Sequence, residues 1–450
     1  MRALCLAALA LTLWTARPLA AAPKVVDLED YLALTGRDEK ASAKALAKIG
    51  KHWQGHSAPM LLELLLFVPT APAKAAIVET LEARTAQRFG RDVDRWWRWV
   101  WETRPDPHPR YAEFKSLLYS TIDSRFARYF EGAKPATIRL DEIRWGGVRR
   151  DGIPPLDQPP MVAAAEATYL ADGHVVFGFE HRGEARAYPQ RILGWHELVR
   201  DRVGGEAVTG VYCTLCGTMI FYRSTVGGVE HVLGTSGFLY RSNKLMYDRD
   251  TRSLWSTFTG KPVVGSLVGR GIALEPLSVV TTTWATWRAR HPKTLVLALA
   301  TGHQRDYREG AAYRDYYATD DLMFPVPKLD DRLANKAEVL GLRFGAGDAA
   351  ALAVSAAFLS LHPVYQDVLG GVEFVIFTDP SGANRVYERR GRVFSSWDGD
   401  RRATDEGGKE CEITESQLLC ADGVSLARLP SHRAFWFGWF SAFPQTRLVR

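Results

Sequence analysis

Residues 202–223, RVGGEAVTGVYCTLCGTMIFYR, lie over residues 368–389, VLGGVEFVIFTDPSGANRVYER, without a gap and at a shift of 166. Gly204-Gly205 meets Gly370-Gly371, Arg223 meets Arg389, and just upstream His196 meets His362. A second block agrees at a shift of 152: residues 274–295 lie over 426–447, with Trp284, Trp287, Pro292 and Thr294 on Trp436, Trp439, Pro444 and Thr446. Short strand-like runs broken by Gly and Pro turns fill both copies, as antiparallel β structure requires. The expectation is two related β-rich halves packed as a pseudo-symmetric pair, spanning residues 136–330 and 331–450. The copies differ in one respect that bears on chemistry. Asp379 and Gly382 stand where the first copy has Cys213 and Cys216, and the second copy lacks most of the segment 225–248.

Upstream the pattern changes. Residues 24–125 carry apolar residues at helical spacing, with Gly50 and Gly90 placed as stops, so a helical domain is expected there. Its segment DVDRWWRWVWE (92–102) brings Trp96, Trp97, Trp99 and Trp101 together, read as the packing contact between the helical unit and the β-rich region. The fold class is therefore α+β, a helical unit followed by a duplicated β-rich region. Residues 1–22 have the charged start, short apolar run and small-residue exit of a signal peptide. A periplasmic or secreted protein is expected, with no membrane span once that segment is removed. The net charge of +6 is spread over 57 basic and 51 acidic residues without a basic block, which argues against a nucleic-acid partner. An unidentified small molecule or protein is the expected partner.

The stretches RILGWHELVRDRVGG, VYCTLCGT, LGTSGFLYRSNKLMYDRDTRSLW and FWFGWFSAFPQTRL resemble the DUF3179 family, a bacterial domain of unknown function. The resemblance covers roughly residues 136–448. It implies a domain type and no substrate. The family motif usually has Pro after the first cysteine, where this chain has Thr214.

Cysteine usage frames the chemistry. Beyond the signal segment four cysteines remain, and an oxidising compartment makes disulfides the ordinary expectation. Cys411 and Cys420, nine residues apart in an insertion of the second copy, are expected to bridge a hairpin. Cys213 and Cys216 allow several readings. A thioredoxin-like pair would open a helix, whereas MIFYR after Cys216 looks like a strand. Structural zinc needs four ligands, and the chain has no second CxxC. A soft transition metal is the reading placed first: copper, iron or zinc held by Cys213 and Cys216 with His196, His231 or Met246. The expected activity is metal-dependent redox or metal handling, with Asn243, Lys244 and Asp248 touching a small-molecule substrate and the second copy serving as a scaffold. The alternative is a non-enzymatic binding or structural module whose CxxC is a disulfide or a zinc ligand pair. His196 recurs as His362, and Met246 within KLMYDR suits a core position, so bracing stays open for the one and core packing for the other. The Tyr- and Arg-rich stretch 301–317 links the halves and reads as a strap or a lid. No GxSxG elbow, Walker loop, HExxH helix or GxGxxG turn occurs in a suitable context.

Overall fold

The computed structural model describes residues 25–132, 134–344 and 350–450, so the expected signal segment lies outside the described residues. The chain divides into two compact units, Met1–Arg88 and Phe89–Arg450. In the first, helices Leu28–Leu32, Glu39–Lys51, Ser57–Leu64 and Ala71–Thr85 surround a core of Leu28, Tyr31, Ile49, Leu61, Ile77 and Leu81. The Asp38 side chain accepts from the Lys40 and Ala41 N–H groups at 3.0 and 3.1 Å, and Thr70 accepts from Ala73 at 3.3 Å. Each cap satisfies donors that a helix start leaves unpaired. Among the described residues no helix is long and apolar enough to cross a membrane.

The second unit opens with helices Val93–Thr103, Tyr111–Ser120 and Ala127–Phe130. Trp96, Trp97 and Trp101 are buried, while Trp99 is partly exposed. The Arg144 guanidinium lies 4.1 Å over the Trp97 ring, and Tyr119, Phe126 and Phe130 set their rings edge-on around Phe238. These aromatic contacts brace the hairpin of strands Leu233–Tyr240 and Asn243–Asp248.

The β region repeats its topology. In the first copy, strand Val175–His181 pairs antiparallel with Glu184–Pro189 and with Val280–Thr283, and Leu295–Leu297 runs parallel to Glu184–Pro189. In the second, Glu338–Arg343 pairs antiparallel with Ala351–Ser355 and Ser431–Phe435, and Arg447–Val449 runs parallel to Ala351–Ser355. A three-stranded meander comes next in each: Leu198–Val203, Glu206–Cys213 and Thr218–Arg223, then Val364–Leu369, Val372–Thr378 and Asn384–Glu388. The expected duplication is thus present as structure, down to the tryptophans. Trp287 Nε1 donates to Thr294 Oγ1 at 3.0 Å, and Trp439 Nε1 to Thr446 Oγ1 at 2.9 Å. Each indole lies flat on a strand glycine, Gly178 or Gly341, where a Cβ would fall 2.2 Å from the ring.

The insertion of the second copy forms its own sheet, in which Cys411 and Cys420 stand directly opposite each other and are disulfide-bonded. The largest core lies between the copies. It joins Cys213, Cys216, Met246 and Trp255 of the first to Trp436, Trp439 and Phe443 of the second.

The matched glycine–indole contacts generate a test. Gly178→Ala and Gly341→Ala should each destabilise the fold by about 1–3 kcal/mol through overpacking. Gly173→Ala, with open space around it, should change stability by less than about 0.5 kcal/mol in the same urea titration.

Candidate functional site

Strand Glu206–Cys213 ends at the first cysteine, a tight turn intervenes, and the chain returns as Thr218–Arg223. Cys213 and Thr218 are register partners, and the Cys216 N–H donates to the Cys213 carbonyl at 3.2 Å. Gly217 completes the turn at φ +60°, pressed against the Phe435 ring. Both cysteines are free thiols, 2% and 0% exposed. The Cys216 thiol has two acceptors in reach, the Cys213 sulfur and the Ser242 carbonyl at 3.6 Å, and its sulfur accepts from Asn243 Nδ2 at 3.4 Å.

Beside the dithiol sits a buried ion pair. Lys244 Nζ donates to Glu197 Oε2 at 2.8 Å, while Glu197 Oε1 accepts from Thr214 Oγ1 at 2.8 Å and from the Tyr313 hydroxyl at 2.9 Å. Lys244 and Glu197 are 5% and 6% exposed, and such charges survive burial only when paired and hydrogen-bonded. The backbone around them is held in an uncommon conformation. Glu197, Arg241, Ser242 and Tyr313 have φ of +57°, +50°, +62° and +58°. Non-glycine residues with positive φ cost energy, and they gather where the surrounding structure fixes a functional geometry.

The two thiols differ in acidity. Burial raises the Cys213 thiol, but hydrogen bonds from the Cys216 thiol, the Lys244 N–H and the Cys216 N–H bring it below the ordinary thiol value. Burial pushes Cys216 well above that value, and the neighbouring Cys213 sulfur adds to the rise. Cys213 is therefore the more acidic thiol of the pair and Cys216 the less acidic. Donors in a hairpin do here what a helix N-terminus does elsewhere.

Cys213 also lines a hollow of about 50 Å³ whose wall includes Glu197, Thr214, Lys244, Tyr313, Met323 and Phe324. The stretch between the copies closes over it. The Tyr316 hydroxyl donates to the Leu215 carbonyl at 2.8 Å and Tyr317 to the Thr214 carbonyl at 3.0 Å. Three tyrosines thus fasten this stretch to the cysteine turn and its acid.

Of the residues expected at the site, Cys213, Cys216, Asn243 and Lys244 come together. His196 is committed elsewhere: its Nδ1 faces the Pro154 carbonyl at 2.8 Å and its Nε2 the Tyr307 hydroxyl at 2.5 Å. The carbonyl can only accept, so Nδ1 carries the proton and Nε2 takes the Tyr307 hydrogen. His231 Nδ1 donates to Asp248 Oδ2 at 2.8 Å, at the far end of the strand from Asn243. The other Asp248 oxygen closes a turn, accepting from the Asp250 and Thr251 N–H groups at 3.0 and 2.8 Å. Met246 is fully buried in the cluster that holds both cysteines. Among the described residues no three His, Cys, Asp or Glu side chains form a metal-binding group. Glu197 and Tyr313 were not anticipated as site residues. Glu197 had a signal: at the shift of 166 it falls on Pro363, so this acid, like the cysteines, occurs in one copy only.

Fold and site together define a duplicated β-rich protein with one dithiol, buried where the copies meet. The chain belongs to the DUF3179 family: the family model, described as a protein of unknown function, matches residues 150–446. No curated protein and no solved structure gives a significant match to the chain.

The His196 environment sets a pH dependence. Burial lowers its pKa from 6.5 to about 4, so the folded site refuses a proton that the unfolded chain accepts. Stability should fall as pH drops from about 6.5 towards 4. In thermal melts across that window, His196→Asn should show a shallower decline than the wild type.

Proposed function

We propose that Cys213 and Cys216 form a redox-active dithiol, with Cys213 as the attacking thiolate and Cys216 as the resolving thiol. The observation that carries this reading is geometric: two free thiols three residues apart share one tight turn, and Cys213 alone of the two lines the hollow. In the first step the Cys213 thiolate attacks the electrophilic sulfur or oxygen of a two-electron oxidant and expels its leaving group. Cys216 then loses its proton and attacks the Cys213 sulfur. The second fragment leaves with that proton, and a Cys213–Cys216 disulfide remains. Two electrons have passed from the dithiol to the oxidant. The hollow beside Cys213 favours a small oxidant, since about 50 Å³ holds little more than a few water-sized groups. Lys244 and Glu197 hold the hairpin N–H against the sulfur, and the tyrosine-fastened strap keeps bulk water away. Export to an oxidising compartment belongs to the same proposal, supported by the leader pattern of residues 1–22 and by the Cys411–Cys420 disulfide.

A second reading is a two-thiolate site for a soft monovalent metal such as copper(I). The presence of Met246 in the same buried cluster favours it. Stoichiometric copper in protein purified without tags or chelators, abolished by Cys213→Ser, would support it over the dithiol reading.

Thiol labelling tests the main proposal. Alkylation of Cys213 by iodoacetamide should titrate below the pH of an ordinary thiol, and Cys216→Ser should retain it. One equivalent of hydrogen peroxide should give an intramolecular disulfide in the wild type and a Cys213 sulfenic acid in Cys216→Ser. If Cys216 reacts first, or neither thiol responds, the pair is a structural element of a binding module.

A further inference from the structure

On the Cys216 side of the dithiol the second unit holds a cavity of about 570 Å³, within the size range of small-molecule sites. Two of its wall residues touch the resolving thiol. Asn243 donates to the Cys216 sulfur at 3.4 Å, and Gly438 approaches so closely that a Cβ there would lie 3.1 Å from it. The wall carries three cations, Arg241, Lys261 and Arg343, and no carboxylate. Arg241 is engaged by Glu142 and the Ser441 carbonyl, and the Arg343 guanidinium lies 4.5 Å over the Phe443 ring. Lys261 is exposed and forms no ion pair among the described residues. Half-buried His432, its ring 5.8 Å from the Phe258 ring of the wall, responds to this charge. Burial first, and the Arg343 charge second, lower its pKa to about 3. The rest of the wall is mainly apolar, with Phe258 and Leu267 among its members.

We infer that this cavity is a binding site for an organic anion with an apolar, ring-sized body. The apolar wall supplies the hydrophobic contact, and the positive charge of Lys261 selects a carboxylate, sulfonate or phosphate group at its end of the cavity. A cation at the rim of a concave apolar wall that carries no carboxylate favours an anionic group at that end of the cavity. The site does not need the thiols to react, so it stands or falls separately from the dithiol reading.

The test uses a matched pair of probes on the full chain: 8-anilinonaphthalene-1-sulfonate and its uncharged counterpart N-phenyl-1-naphthylamine. The sulfonate should bind at one site and more tightly than the neutral probe, with an affinity that falls as salt is added. Lys261→Glu should weaken sulfonate binding by about fivefold or more and leave the neutral probe unchanged. Ala273→Trp, which fills the cavity from its wall, should abolish binding of both probes. Each variant is checked for an unaltered Cys213 alkylation profile. Absence of sulfonate binding, or equal sulfonate affinity in the wild type and Lys261→Glu, overturns the inference. So does binding that survives Ala273→Trp in a protein with that unaltered profile.

Discussion

A hairpin turn whose inward N–H groups need an acceptor governs the centre of this molecule. In the second copy the acceptor is a carboxylate. Asp379 Oδ1 accepts from the Ser381 and Ala383 N–H groups at 2.9 and 3.0 Å and from Ser381 Oγ at 2.6 Å, while Arg385 Nη1 holds the other oxygen at 3.1 Å. In the first copy the same place in the same turn is taken by the Cys213 sulfur, with the Cys216 N–H and the Lys244 N–H directed to it. Both copies therefore present donors arranged for a negative charge. A sulfur set among such donors is made more acidic even though it is buried, because hydrogen bonds to the charged form offset the desolvation cost. Cys213 draws its acidity chiefly from the Cys216 thiol and the Lys244 N–H, and the turn's own Cys216 N–H adds to them.

The second copy does more than mirror the first. Its Phe435 N–H donates to the Cys216 carbonyl at 2.7 Å, and Gly438 leaves room for the Cys216 sulfur. The dithiol of one copy is thus walled by the other. The reading of the second copy as a scaffold is too narrow, since its last helix forms one face of the site.

Much of this was legible in the sequence, for identifiable reasons. The duplication could be read because both copies keep the residues that fix strand register and indole packing, and Trp287–Thr294 and Trp439–Thr446 make the same bond. The disulfide could be read because a spacing of nine positions between cysteines suits a hairpin. Asn243 and Lys244 could be placed near the cysteines because the segment that carries them is absent from the second copy. The histidines could not be assigned. Nothing in the chain reveals that His196 faces a proline carbonyl and a tyrosine more than a hundred positions away, or that His231 is spent on Asp248. Residue type alone suggests a ligand, whereas long-range contacts decide what the ring nitrogens do. Glu197 was hidden for the opposite reason. It stands next to the histidine that drew attention, in a backbone conformation that glycine or asparagine would have advertised.

The two copies are also bound by charge. Arg290, at the end of the first copy's last helix, donates to Glu415 at 3.0 Å, and Arg385 and Arg428 of the second copy reach the same carboxylate. Glu415 is 8% exposed, and one acid serves three guanidinium groups from both halves. Separating the copies would strand these ions on freshly opened apolar faces. Neither half would remain as a soluble fragment, and a gene carrying one copy alone would have to evolve a new lining before its product could fold.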